Sequence, residues 1–112
     1  MKSHPLVSVV IPTCGPPDML KEAVESVLAQ DYPALEVIIV DDNGEGSEYQ
    51  KETEAIARGF SSASVPVRYL KHPASLNGAI ARNRGIAAAE GEYIALLDDD
   101  DWFYPEKISC QM

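Results

Sequence analysis

The chain is poor in cysteine and in positive charge, and it has no long apolar run. Only two cysteines, Cys14 and Cys110, occur in its 112 residues. They form neither a CxxC pair nor a zinc-ligand spacing, so a disulfide framework is not expected. The apolar run Leu6–Ile11 is too short for the core of a signal peptide or for a membrane span. We therefore expect a reduced, cytoplasmic segment that does not cross a bilayer, which leaves open membrane association of a full-length protein.

Basic residues are half as numerous as acidic ones. Nine Lys and Arg against 18 Asp and Glu give a formal net charge of −9. A nucleic-acid backbone or an anionic membrane surface does not attract such a chain, so neither is expected as a partner. A phosphate-bearing ligand remains compatible if a metal ion or local arginines reverse the sign at its site. Hydrophobic residues make up 46% and charged residues 24%, which favours a globular domain over a disordered chain.

Short apolar runs alternate with helical patterns along the chain. Three runs rich in β-branched residues predict buried strands: Leu6–Ile11, Leu35–Val40 and Tyr93–Leu97. A fourth run, Val65–Leu70, contains Pro66, which cannot donate to a ladder, so it is predicted at a sheet edge or a strand start. Apolar periodicity, a capping pattern and alanine content predict three helices: Met19–Gln30, 47–58 and Asn77–Glu90, with Gly91 as the last C-cap. The alternation predicts an α/β fold with a Rossmann-like, mostly parallel sheet and flanking helices.

Polar segments follow three of the predicted strands, and parallel strands end at one edge of a sheet, where ligands gather. The segments are Pro12–Gly15, Asp41–Gly44 and Asp98–Asp101. Four consecutive aspartates after an apolar strand repel one another, and a hard divalent ion such as Mg²⁺ or Mn²⁺ resolves the conflict. The alternative interpretation is a solvated acidic turn that caps the following helix.

Four ordered motifs resemble the family 2 glycosyltransferases, which have the GT-A fold. The motifs are Val7–Thr13 as the first strand, Val40–Asp42 at the end of the second, Ala81–Gly85 in the third helix, and Gly91–Lys107 as the strand and DxD segment. They cover nearly the whole chain in the family's order. The resemblance implies that residues 1–112 are the truncated N-terminal, nucleotide-sugar-binding part of a GT-A domain, without its acceptor-binding C-terminal half.

The resemblance further implies that the first two motifs hold the nucleotide base of a donor, expected to be a UDP-sugar. Pro12 and Thr13 would line the uracil pocket, and Asp42 would accept a hydrogen bond from the base N3–H. Asp41 remains a second candidate, because the sequence does not separate the pair, and a plain turn is the alternative interpretation of this segment. Relatives commonly carry an aromatic residue where this chain has Cys14. Without that ring, the chain lacks a surface on which uracil could stack. We expect Cys14 to be a small, semi-buried residue.

The last two motifs are implied to contact the diphosphate and a metal ion. Arg82 would reach the diphosphate oxygens, whereas Arg84, two positions on and therefore on another face of the helix, is expected to pair with a surface carboxylate. Asp98 and Asp100 match the acidic positions that hold Mn²⁺ or Mg²⁺, and Asp98 also belongs to the donor site. Asp99 is implied to contact the donor sugar or ribose.

These assignments predict an inverting glycosyltransferase that acts on the hydroxyl of a saccharide, lipid or other acceptor, with the metal offsetting charge on the leaving diphosphate. The general base would follow residue 112, so no catalytic residue is assigned and the segment is expected to bind donor without turnover. A non-catalytic nucleotide-sugar-binding or interaction module is the alternative. Apolar surface left by the missing half predicts self-association of the isolated segment. His4 and His72 lack ligand partners at workable spacing, so both are expected on the surface.

Overall fold

The computed structural model of the chain describes residues 5–72 and 78–98, which form a parallel sheet with helices on both faces. In chain order the elements are β1 (Val7–Thr13), α1 (Leu20–Leu28), β2 (Leu35–Asp41), α2 (Glu48–Arg58), β3 (Val67–Lys71), α3 (Gly78–Ala88) and β4 (Tyr93–Leu96). The strand order is β3-β2-β1-β4, and every pair is parallel. The predicted α/β class and Rossmann-like sheet are confirmed. None of the helices in the described ranges is long and apolar enough to span a bilayer.

Two hydrophobic cores lie on opposite faces of the sheet, because successive strand side chains point in opposite directions. Odd-numbered residues of β1 and β2 pack with α1 and α2 in the larger core: Val7, Val9, Ile11, Leu35, Val37 and Ile39. Even-numbered residues pack beneath α3 in the smaller core: Val10, Ile38 and Val40, with Ala81 from the helix. Both faces of the central strands are therefore covered, which explains their continuous apolar sequence.

Prolines mark the limits of pairing in this sheet. β3 lies at one edge, as Pro66 predicted, but it begins at Val67 rather than Val65. Pro66 still contributes its carbonyl, which accepts from the Val37 N–H at 2.8 Å. β1 continues through Pro12, and its pairing with β4 ends at Val10 and Leu96. The missing N–H of Pro12 thus falls beyond the last pair of the β1–β4 ladder.

The first two helices begin and end close to the predicted positions. α1 buries Leu20, Val24 and Val27, whose spacing places them on one face of the helix. α2 begins at the predicted cap, where the Ser47 hydroxyl accepts from the Gln50 N–H at 3.1 Å. This bond satisfies one of the free amides at the helix start, so the capping pattern in the sequence correctly located the helix.

The third helix ends at Ala88, earlier than predicted, and the prediction of Gly91 as its C-cap is wrong. Gly91 lies against the start of β1 instead. A Cβ at this position would be 2.6 Å from Ser8 Oγ and 2.7 Å from the Leu6 carbonyl oxygen. A glycine is therefore needed for the close approach that leads the chain from α3 into β4.

Candidate functional site

A cavity of about 200 Å³ lies at the carboxyl edge of the sheet. Its lining comes from the ends of the strands and the N-terminal part of α3: Pro12, Thr13, Cys14, Asp42, Ala81, Arg82 and Asp98. The structure thus brings together five residues that the sequence analysis assigned to the donor site: Pro12, Thr13, Asp42, Arg82 and Asp98. This edge is where parallel α/β sheets bind ligands.

The acidic pair at the end of β2 is divided between the two faces of the sheet. Asp41 points toward α2 and Asp42 toward α3, as the alternation of strand side chains requires. Both residues are buried, with 0% and 2% of their surface exposed. Only Asp42 lines the cavity. The geometry therefore favours Asp42 over Asp41 as a ligand-binding carboxylate.

Asp41 holds the loops that shape the cavity. Its Oδ1 accepts from the backbone and side-chain amides of Asn43 at 3.0 and 2.8 Å, and its Oδ2 accepts from the Tyr69 hydroxyl at 2.6 Å. That hydroxyl accepts in turn from Gln50 Nε2 at 3.0 Å. Burial, reinforced by the hydrogen bond to Asp41, raises the pKa of Tyr69, which keeps its hydroxyl a donor. Asn43 Oδ1 accepts from the Gly15 N–H at 2.6 Å and joins the loops after β1 and β2.

The prediction that His72 lies on the surface is wrong, and His4 lies outside the described residues. His72 is 1% exposed, and its Nδ1 is 2.8 Å from Asp42 Oδ1. It directly follows β3, and its backbone N–H donates to the Asp41 carbonyl at 2.9 Å. The contact exists because β3 is the neighbour of β2 in the sheet. No local sequence pattern signals that neighbour, so the sequence analysis missed this residue.

Cys14 is exposed at the mouth of the cavity, where we expected a semi-buried residue. Its thiol donates to the Asp42 backbone carbonyl at 3.6 Å, a long and weak contact. The residue follows β1 immediately, beyond the core that covers the strand itself. The position where the family resemblance implies an aromatic ring is therefore open to solvent in this chain.

α3 reaches the cavity because Gly85 lets the helix lie directly on the sheet. A Cβ at Gly85 would be 2.3 Å from Val10 Cγ1 and 3.1 Å from Val40 Cγ2. The close approach buries Ala81, which is 1% exposed, and brings the next residue, Arg82, to the cavity wall. The arginine is recognisable from its motif in the sequence, whereas the role of the glycine that allows its position is not.

The two arginines of α3 have different surroundings, as their spacing predicted. Both are exposed, and only Arg82 lines the cavity. Arg84 Nη1 donates to the Lys71 backbone carbonyl at 3.5 Å, where we expected a surface carboxylate as partner. A guanidinium beside the carboxylates of this cavity supplies the cationic fork that suits phosphate oxygens.

Asp98 is the aspartate of the acidic run that the structure describes, and it lines the cavity. The segment Asp99–Asp101, with the proposed metal ligand Asp100, lies outside the described residues. Within 5–72 and 78–98, no group of three or more His, Cys, Asp or Glu is placed to hold a metal ion. Asp98 nevertheless brings to the cavity a carboxylate, the hard oxygen ligand that Mn²⁺ and Mg²⁺ prefer, which fits a divalent ion at this edge.

A parallel α/β sheet with carboxylates and an arginine around a cavity at its strand ends is typical of proteins that bind a ligand at this edge. The sequence model described as "Glycosyl transferase family 2" matches residues 8–111 of this chain. The chain belongs to glycosyl transferase family 2, which confirms the resemblance carried by its four motifs.

The relatives are considerably longer than this chain. An uncharacterized glycosyltransferase of Rickettsia bellii is 38% identical over 97% of the chain, which covers 15% of that relative. S. aureus TarS 1-349, solved with UDP-GlcNAc, matches with a TM-score of 0.81 and 27% identity over 95% of this chain and 30% of its own. The mannosyltransferase PcManGT from Pyrobaculum calidifontis, solved with GDP-Man and Mn²⁺, matches with a TM-score of 0.76 and 24% identity over 90% of this chain and 29% of its own. This last likeness establishes the shared fold.

Proposed function

We propose that the chain binds a UDP-sugar through a divalent metal ion, as the donor-binding part of an inverting glycosyltransferase. The observation that carries the proposal is the cavity that joins Asp42, Arg82 and Asp98 at the carboxyl edge of the sheet. These side chains supply an acceptor for the base, a cation for the diphosphate and an oxygen ligand for the metal. The likeness to TarS 1-349, which was solved with UDP-GlcNAc, supports UDP as the nucleotide.

Each part of the donor has a proposed partner. Pro12 and Thr13 line the cavity together with Asp42 and form the base site, where Asp42 accepts a hydrogen bond from the base N3–H. Arg82 binds the diphosphate, where its planar guanidinium matches two phosphate oxygens. Asp41, whose carboxylate is taken up by Asn43 and Tyr69, supports the base site indirectly.

Asp98 and Asp100 are the proposed metal ligands, and Asp99 is proposed to contact the donor sugar or ribose. The metal, when bound, offsets the charge that develops on the diphosphate as it leaves. The acceptor, a hydroxyl of a saccharide, lipid or other molecule, requires a general base for its proton, and we place that base beyond residue 112. The 112-residue chain is therefore expected to bind donor without transferring the sugar.

Calorimetric titration of UDP into the chain tests this proposal. With millimolar Mn²⁺ we expect measurable binding, and we expect Asp98→Asn to weaken it at least roughly tenfold, because the substitution removes a charged oxygen ligand. Chelation of the metal should have a similar effect on the wild-type chain.

Asp31→Asn provides the matched control. Asp31 is exposed and precedes β2, at the edge of the sheet opposite the cavity, so the same chemical change there should leave UDP binding unaltered. Binding that is indifferent to Mn²⁺ and to Asp98→Asn would show that the proposal is wrong.

A further inference from the structure

A buried histidine lies behind the carboxylate that faces the cavity. Asp41 and Lys71 are register partners at the ends of β2 and β3, so the residues that follow them, Asp42 and His72, come to lie side by side on the α3 face. The His72 side chain is 1% exposed and that of Asp42 is 3% exposed. Their contact, 2.8 Å from Nδ1 to Oδ1, is therefore made away from bulk water.

The other nitrogen of the ring, Nε2, has no hydrogen-bond partner in the part of the chain that the structure describes. His72 Nε2 is buried and makes no hydrogen bond within residues 5–72 and 78–98. An unpaired buried polar atom opposes folding, so a histidine is a poor choice of residue for filling this space. The imidazole forms a hydrogen bond with Asp42, which an apolar side chain of similar size could not form.

A hydrogen bond from a buried ring restricts the rotation of a carboxylate. Asp42 turns about two side-chain bonds, and its plane decides which direction its lone pairs offer to a ligand. His72 cannot follow a rotating carboxylate, because its backbone N–H is bonded to the Asp41 carbonyl at 2.9 Å and its ring is enclosed. The pair therefore presents Asp42 to the cavity in one orientation.

We propose that His72 is a positioning residue for base recognition, which orients the Asp42 carboxylate toward the imino N–H of the nucleobase. The inference rests on the proposed function, since it requires that Asp42 reads the base. An oriented acceptor favours bases with a donor N–H at this position, such as uracil. It disfavours cytosine, whose corresponding nitrogen is itself an acceptor.

The test compares His72→Asn with His72→Gln. Asn carries its amide near the position of Nδ1 and can still donate to Asp42, whereas the longer Gln carries its amide toward the position of Nε2. UDP and CDP are titrated with Mn²⁺ into both variants and into the wild-type chain. We expect His72→Gln to lose roughly tenfold in UDP affinity and most of the preference for UDP over CDP. His72→Asn should retain both within about threefold.

Titration of inorganic pyrophosphate with Mn²⁺ separates positioning from a loss of structure. Pyrophosphate has no base, so its affinity should be the same in all three proteins. The inference is overturned if His72→Gln keeps wild-type UDP affinity and preference, if both variants lose them equally, or if pyrophosphate binding falls together with UDP binding. A wild-type chain that binds no UDP overturns the proposed function and, with it, the inference. A wild-type chain that binds UDP while the Gln variant is unaffected overturns the inference alone.

Discussion

At the scale of single residues, the alternation of side chains along β2 gives neighbouring aspartates separate surroundings. Asp41 accepts three hydrogen bonds, from Asn43 and Tyr69, and lies on the α2 face. Asp42 lies on the α3 face, next to His72 and at the cavity. The same substitution at the two positions should therefore affect different properties of the molecule.

Asp41→Asn should lower the free energy of unfolding by about 1–3 kcal/mol, because one oxygen that accepts a buried hydrogen bond is replaced by an amide. Asp42→Asn should instead weaken UDP binding, since the base N–H loses a charged acceptor. Urea denaturation and calorimetry of both variants measure the two effects. Equal effects of both substitutions on stability and on binding would contradict this division.

Glu36 is a third buried carboxylate of β2 and the loop after it, on the α3 face and distant from the cavity. It is 3% exposed, and it accepts from the Ser8 hydroxyl at 2.5 Å, the Glu90 N–H at 2.8 Å and Arg68 Nη1 at 3.4 Å. Burial alone raises the pKa of Glu36, but these hydrogen bonds and the Arg68 charge together outweigh burial and lower it below its ordinary value of 4.5. The network ties the end of α3 to the sheet.

The lowered pKa predicts how stability depends on pH. The charged form of Glu36 is favoured by folding, so its contribution is complete above the ordinary pKa and is lost as the pH falls through the lowered value. Glu36→Gln should cost about 1–2 kcal/mol at neutral pH, and the gap to wild type should narrow in acid. Urea denaturation across this pH range measures both. Glu52→Gln, at an exposed position of α2, is the control, and its free energy of unfolding should change with pH as that of wild type does. A difference in free energy of unfolding between Glu36→Gln and wild type that stays constant with pH would contradict the prediction.

At the scale of elements, the distance between α3 and the sheet decides whether Arg82 reaches the cavity. A Cβ at Gly85 would overlap Val10 and crowd Val40, whose β-branched side chains have little freedom to move aside. The helix is also the least amphipathic of the three described helices, and its two isoleucines, Ile80 and Ile86, are exposed. Its position therefore depends on a missing side chain rather than on a broad apolar face.

Gly85→Ala should destabilise the chain by about 1–3 kcal/mol, although alanine is the better helix former, because the new methyl group overlaps Val10. UDP affinity should fall as well, since the helix must move away from the cavity. Combining it with Val10→Ala removes the overlapping methyl group. The midpoint temperature of thermal unfolding should then fall less in the double variant than the sum of the two single losses. Strict additivity would mean that the contact does not set the position of α3.

At the scale of the whole molecule, one edge of the sheet carries exposed apolar side chains. β4 has β1 as its neighbour on one side and lies at the end of the strand order. Tyr93, Ile94 and Leu96 are 52%, 41% and 50% exposed, so the prediction of a buried strand here is wrong. Large exposed apolar side chains on an edge strand favour association with another surface, and the longer relatives contain further chain. The expected self-association of this segment remains a prediction.

Sedimentation velocity across the micromolar range should detect association of the wild-type chain. Ile94→Lys should reduce it, because a charge on the exposed edge opposes pairing and burial. Tyr49→Lys is the matched control, since Tyr49 is 43% exposed on α2, away from that edge. A monomeric wild-type chain, or equal effects of both substitutions, would contradict the prediction.

The fold and most of the cavity were predictable from the sequence because their causes are local. Runs such as Leu35–Val40 are typical of strands that are covered on both faces of a parallel sheet, and Pro66 favours an edge position for its strand. Ligands bind at the carboxyl ends of the strands in such a sheet. The residues that follow the strands, among them Pro12, Asp42 and Asp98, were therefore predictable as site residues from the sequence. Gly91 was misassigned because the contact that requires a glycine there is made with the start of β1, which is far away in the sequence.

The sequence by itself thus determined the α/β class, the family and the edge of the sheet where polar side chains gather. The tertiary structure decided which of those side chains face one another. The contact of His72 with Asp42 and the contact of Gly85 with Val10 both join distant segments, and each depends on which elements are neighbours. Local propensity and periodicity do not encode that choice. The choice of neighbouring elements depends on how both faces of the sheet are packed together, and this packing exists only in the folded chain.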